Sequence, residues 1–143
     1  MIDYTPLLAL LKTEEGVRYS AYKDSLGILT IGVGFNIDGD HGGGLDDTEI
    51  DFILQHRLEK AASAAADYAW FDALSTNRKF VVIDMIYNMG AKTFAQFHGT
   101  QHSIAVGDYE GASRGMLASR WSVQVGKRAE RLARIMRTDE WVS

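Results

Sequence analysis

Glu15, Asp24 and Thr30 fall within one short run, EEGVRYSAYKDSLGILTIGVGF, residues 14–35. Two carboxyls in different settings can divide acid–base chemistry between them, one neutral proton donor and one ionised base or nucleophile. Glu15 is expected at a helix end facing apolar strands, where lost solvation favours the neutral form. Asp24 is expected in a hairpin loop beside Lys23, more open to water and ionised. Such a pair is the equipment for cleaving a glycosidic bond, and Thr30, on the return strand, could hold a water between them. The plainer alternative is that Glu15 is charge at a helix end and Asp24 an ordinary turn residue. Spacing alone does not decide.

The elements around the run are readable. Thr5-Pro6 is a helix start, with a hydroxyl at the N-cap and Pro at the first helical position. Leu7, Leu8, Leu10 and Leu11 form an apolar stripe, and Gly16 places the helix end at Glu15. VRYSAY and ILTIGVGF are strand-like runs joined by KDSLG, a hairpin. NIDGDHGGG is turn-rich, so a third strand there should be short or irregular. LDDTEIDFILQHRLEKAASAAADYAW carries the longest helical signal, opened by an Asp46–Glu49 capping box and a Leu45–Ile50 staple. STNRKFVVIDMIYNMG reads as a buried helix between a Ser cap and a Gly stop. Shorter helices follow around TFAQF, HSIAVG, YEGASRGMLASRW and GKRAERLARIMR. The class is α+β, mainly α: a small N-terminal β lobe at about 14–45, a connecting helix at about 46–69, and a helical lobe at about 70–143 joined by the N-terminal helix.

Length, composition and charge narrow the function. The 143 residues have ordinary globular composition, no Cys, and no apolar run near the ~18 residues of a membrane span. Disulfides and Cys-ligated metals are thereby excluded. No signal peptide is read at the N-terminus. The net charge of −4 argues against a general nucleic-acid binder. Its distribution is uneven: seven basic residues (114, 120, 127, 128, 131, 134, 137) lie in the last segment against Glu130, Asp139 and Glu140. That basic face suits an anionic polymer, or is simply a solvated helix surface.

Two fragments imitate an esterase. GASRG, residues 111–115, matches a nucleophile elbow, and HGGG, residues 41–44, resembles an oxyanion loop. The elbow needs a strand before the Ser and a histidine after it. Here the surroundings of Ser113 read as a helix, no histidine lies beyond His102, and Ser113 is expected to be an exposed residue with no task. His98 and His102 have helical i,i+4 spacing without the Glu of a zinc motif, so no metal site is expected.

The ordered set E-G, Y-x-D and T-I-G-x-G resembles the phage-type lysozymes, glycoside hydrolase family 24. IDMIYNMG resembles that family's buried-helix segment, and SRWSVQVGKRAERLARIMRTDEW its C-terminal signature. The resemblance covers nearly the whole chain and implies a single two-lobed lysozyme domain over 1–143. It implies a muramidase cleaving the β-1,4 bond between N-acetylmuramic acid and N-acetylglucosamine in peptidoglycan, with inversion as in the T-even type. By the same resemblance Glu15 is the general acid, Asp24 the second carboxylate, and Thr30 the residue positioning water. Phe35, Asp84, Asn88, Arg120 and Arg128 are implied to bind substrate.

No cofactor, nucleic acid or membrane insertion is implied, and a monomer is expected. The chain would be made in the host bacterial cytoplasm and act on the wall after release, as an endolysin. There are departures. Phe35 stands where T-even members carry a His, Asp84 where Asn is expected, and VGKRA replaces P-N-R-A. The alternatives are a non-catalytic wall-binding or virion structural module, and a transglycosylase. The presence of both Asp24 and Thr30 favours the hydrolase.

Overall fold

A computed structural model describes residues 1–142 of the chain. It contains eight α-helices and one three-stranded antiparallel sheet, an α+β protein dominated by helix. The chain divides into two compact units, Met1–Phe52 and Ile53–Ser143. Among the described residues no helix is long and apolar enough to cross a membrane.

The first unit opens with α1, Thr5–Glu15. The cap sits one residue earlier than the sequence suggests: Tyr4 is the N-cap, and the Asp3 carboxylate accepts from the Thr5 N–H at 2.9 Å. Its leucines at 7, 8, 10 and 11 form the expected stripe but remain exposed. Gly16 then takes a φ of 75°, which a side chain would resist, and the helix stops at Glu15.

The sheet runs β1 Arg18–Lys23, β2 Leu29–Gly32 and β3 Phe35–Asn36, in that spatial order. ILTIGVGF is therefore two strands rather than one, because the chain reverses at Val33-Gly34. Tyr22 pairs with Thr30 and Lys23 with Leu29, after an irregularity between Arg18 and Tyr22. Thr30 pairs with Asn36 across β2 and β3. The turn-rich segment gives its first residue, Asn36, to the two-residue strand β3, short as expected, and then forms a 3₁₀ turn at Gly39–His41. Thr30 is the one buried residue of this unit.

α2 spans Asp47–Ala66. Its capping box is present in both directions: the Asp46 N–H donates to Glu49 at 2.8 Å, and the Glu49 N–H to Asp46 at 2.9 Å. The staple partners Leu45 and Ile50 are both exposed. The second unit continues with α3 Thr76–Met89, α4 Ala91–Phe94, α5 His98–Ala105, α6 Tyr109–Leu117, α7 Arg120–Val125 and α8 Lys127–Thr138. YEGASRGMLASRW is split by Ser119, whose hydroxyl caps α7 by accepting from the Ser122 N–H.

The core of this unit joins Val81, Val82 and Met85 of α3 to Phe94, Met116, Ile135 and Met136, all fully buried. α3 is buried on one face only, since Phe80 and Tyr87 are exposed. Arg78 ties α3 to the end of α8, donating from Nε to the Met136 carbonyl at 2.8 Å and from Nη2 to the Arg137 carbonyl at 3.3 Å.

Candidate active site

The first unit brings Asp24 and Thr30 to one peptide group. The Asp24 N–H donates to the Ile28 carbonyl at 2.9 Å, continuing the β1–β2 ladder into the loop. Asp24 Oδ1 accepts from the Leu26 and Ile28 N–H groups at 2.8 and 2.9 Å, which folds the loop around the carboxylate. Gly27, at a φ of 79°, closes that turn. Thr30 Oγ1 donates to the same Ile28 carbonyl at 2.9 Å. Asp24 Oδ2 accepts no hydrogen bond among the described residues.

Glu15 is located by a glycine. A Cβ built on Gly34 would lie 2.7 Å from Glu15 Oε2, so the carboxyl rests against the bare backbone of the T-I-G-V-G turn. Gly34 has a φ of 68° as well, and both constraints select glycine.

The settings of the two carboxyls are the reverse of those expected. Glu15 is exposed and Asp24 is the more buried. Gly34 has no side chain with which to shield Glu15 from water, whereas the loop wraps Asp24 with its own amides. Loss of solvation at Glu15, read from the sequence, is not what the structure has.

The remaining residues tied to substrate by resemblance divide between the units. Phe35, on β3, is exposed, and its ring lies over Gly32: a Cβ there would meet it at 2.6 Å. In the second unit Asp84 and Arg128 bind each other, Arg128 Nε and Nη2 both donating to Asp84 Oδ1 at 2.9 and 2.6 Å. They sit on a groove of about 500 Å³ walled by Leu54, Leu58, Phe80 and Trp141. Asp at position 84 thus supplies the counter-ion of Arg128. Asn88, an exposed residue, accepts through Oδ1 from the indole N–H of buried Trp121 at 2.8 Å. Arg120 opens α7 and is exposed.

Sequence reasoning did not single out Trp121, although the S-R-W motif contains it, nor Gly34, whose role depends on where Glu15 folds back. The esterase mimics separate as expected in one respect: Ser113 lies inside α6, not on an elbow. It is buried rather than exposed, because α6 turns that face into the core.

The family profile for phage lysozyme matches residues 12–140. The chain belongs to the phage lysozyme family, a family of peptidoglycan-cleaving glycoside hydrolases. Among its relatives, the endolysin of Salmonella phage P22 is 35% identical over 95 residues, 59% of this chain and 61% of that endolysin. A Dictyostelium discoideum protein named "Probable T4-type lysozyme 2" is 24% identical over 156 aligned positions, 90% of this chain and 92% of its own length.

Proposed function

We propose that the chain is an endolysin-type muramidase that hydrolyses the β-1,4 bond between N-acetylmuramic acid and N-acetylglucosamine. Glu15 donates the proton to the leaving-group oxygen. Asp24, through Oδ2, acts with Thr30 on the water that attacks the anomeric carbon. The observation that carries this reading is the shared hold on Asp24 and Thr30. The Asp24 backbone N–H and the Thr30 hydroxyl both donate to the Ile28 carbonyl, and the Ile28 N–H donates to the Asp24 carboxylate, so Ile28 keeps that carboxylate and the hydroxyl in fixed relation in a chain of this family.

A family member lacking turnover would instead be a wall-binding module. A transglycosylase would close the muramic sugar on itself without water.

Mass analysis of digested peptidoglycan distinguishes these. Reducing muramic acid ends are expected. Anhydro-muramic ends would replace the hydrolase by a transglycosylase, and binding without any products would leave only the wall-binding module.

A further inference from the structure

Asp38 lies in the turn-rich segment after β3 and has no part in the mechanism above. Its Oδ2 accepts from the Leu29 N–H at 3.1 Å. That N–H and the Ile28 carbonyl are the two ends of one peptide group, which is planar and rigid. The carbonyl end accepts from the Asp24 backbone N–H and the Thr30 hydroxyl; the N–H end is held by Asp38.

The position explains why a side chain is needed. β3 ends at Asn36, and the last backbone bond in this direction is the Ile37 N–H to the Leu29 carbonyl at 3.0 Å. Past it no strand supplies an acceptor for Leu29, so the Asp38 carboxylate stands in for the missing ladder carbonyl.

Asp38 is itself fixed. Its Oδ1 accepts from the Asp40 N–H at 3.1 Å, and Oδ2 is 3.0 Å from His41 Nδ1. Its own carbonyl accepts from the His41 and Gly43 N–H groups at 3.0 and 2.8 Å. Its N–H donates to Asn36 Oδ1 at 2.9 Å, and Asn36 is the residue paired with Thr30.

We propose that Asp38 is a positioning residue for the hydrolytic reaction: it orients the 28–29 peptide group, and through it the Thr30 hydroxyl, the Asp24 backbone N–H and Ile28, whose own N–H holds the Asp24 carboxylate. This rests on the muramidase reading of those two groups. Displacement of a water-positioning pair by a fraction of an ångström costs rate while leaving substrate binding nearly intact, so the effect belongs in kcat rather than KM.

The test is steady-state kinetics on soluble peptidoglycan fragments, normalised to folded protein. Asp38→Ala should lower kcat about 10- to 100-fold with KM little changed. Asp38→Asn keeps an oxygen for Leu29 and should recover most of the loss. In a Thr30→Ala background Asp38→Ala should cost far less than it does alone, because the two act through one unit.

A kcat for folded Asp38→Ala equal to wild type, or losses that simply multiply in the double variant, would overturn the proposal. Should Asp38→Ala not fold, His41→Ala decides. It removes a partner from the same oxygen, and kcat should fall about three- to tenfold. An unchanged kcat there overturns the proposal equally. Asp24→Ala and Thr30→Ala in the same assay keep the two readings apart: if both retain full turnover, the catalytic assignment fails whatever Asp38 does.

Discussion

A carboxylic acid that must deliver a proton cannot be replaced by an amide of the same shape. Glu15→Gln should therefore abolish turnover on peptidoglycan while circular dichroism and melting temperature stay close to wild type. Activity within about tenfold of wild type would remove Glu15 from the acid role. Gly34 offers a finer probe of the same carboxyl. The methyl of Gly34→Ala would meet the free end of a flexible side chain, so Glu15 would move rather than block folding. The positive φ costs about 1–3 kcal/mol of stability, and kcat should fall more than that loss explains. A variant that loses stability but keeps full kcat would mean that the glycine serves the turn alone.

Asp38 adds a pH signature. The Leu29 amide above all, then His41 and the Asp40 amide, hold its carboxyl below the usual carboxylate range. A lowered folded-state pKa gives stability that is present above the unfolded value and lost as pH falls through the folded one. The Leu29 amide resonance should therefore shift with a midpoint below the ~3.9 of a free Asp. A midpoint at or above that value would mean that the carboxylate does not hold this amide.

The residue types of the site were legible because the motif keeps them within 22 residues of chain, 14–35. Their solvation was not. Whether Glu15 meets an apolar wall or a bare glycine is decided by a turn 19 positions downstream.

Helices α1, α2, α3 and α8 were legible at close to their true limits, since caps and stops are local: Gly16, the Asp46–Glu49 box, Ser75 with Gly90, and Gly126. What joins them was not, because the partners are far apart in sequence. Arg78 shows this. Besides capping α8 through two carbonyls, its guanidinium lies 3.6 Å from the centroid of the Tyr109 ring and 3.6 Å from the Asp139 carboxylate. Asp139 in turn accepts from the Ser75 hydroxyl at 2.6 Å, and its carbonyl from Asn77 at 2.7 Å. Nothing in STNRKF marks that Arg as more than a surface charge.

Replacing it by Met keeps the stem but strands the carbonyls at the end of α8. Arg78→Met should lower unfolding free energy by about 1.5–3 kcal/mol, measured in urea. Arg78→Lys should recover only part, because an ammonium cannot reproduce the fork. A fully stable Met variant would show that water satisfies those carbonyls at no cost.

Across the whole chain, attraction to an anionic wall has to work against a net charge of −4. The structure narrows which cations are free to provide it. Arg128 is spent on Asp84, and Arg78 on the end of α8. Lys127, Arg131, Arg134 and Arg137 line the exposed side of α8, while Leu132, Ala133, Ile135 and Met136 are buried. Among the described residues none of these four cations forms an ion pair, and Glu130 is the one acidic residue within the helix.

A row of unpaired charges on one helix acts at a distance of about 8–10 Å at physiological ionic strength and is lost as salt rises. Turnover on whole walls should then decline with added salt, while turnover on short soluble peptidoglycan fragments, which carry few charges, should decline far less. Reversing two members of the row, Arg131→Glu with Arg134→Glu, should lower the low-salt rate on walls and flatten the salt profile. It should leave the rate on short fragments close to wild type, since neither residue belongs to the proposed Glu15, Asp24 and Thr30 site. If the reversed variant keeps the wild-type salt profile on walls, the row is a solvated surface, and the acidic chain finds its substrate without electrostatic help from α8.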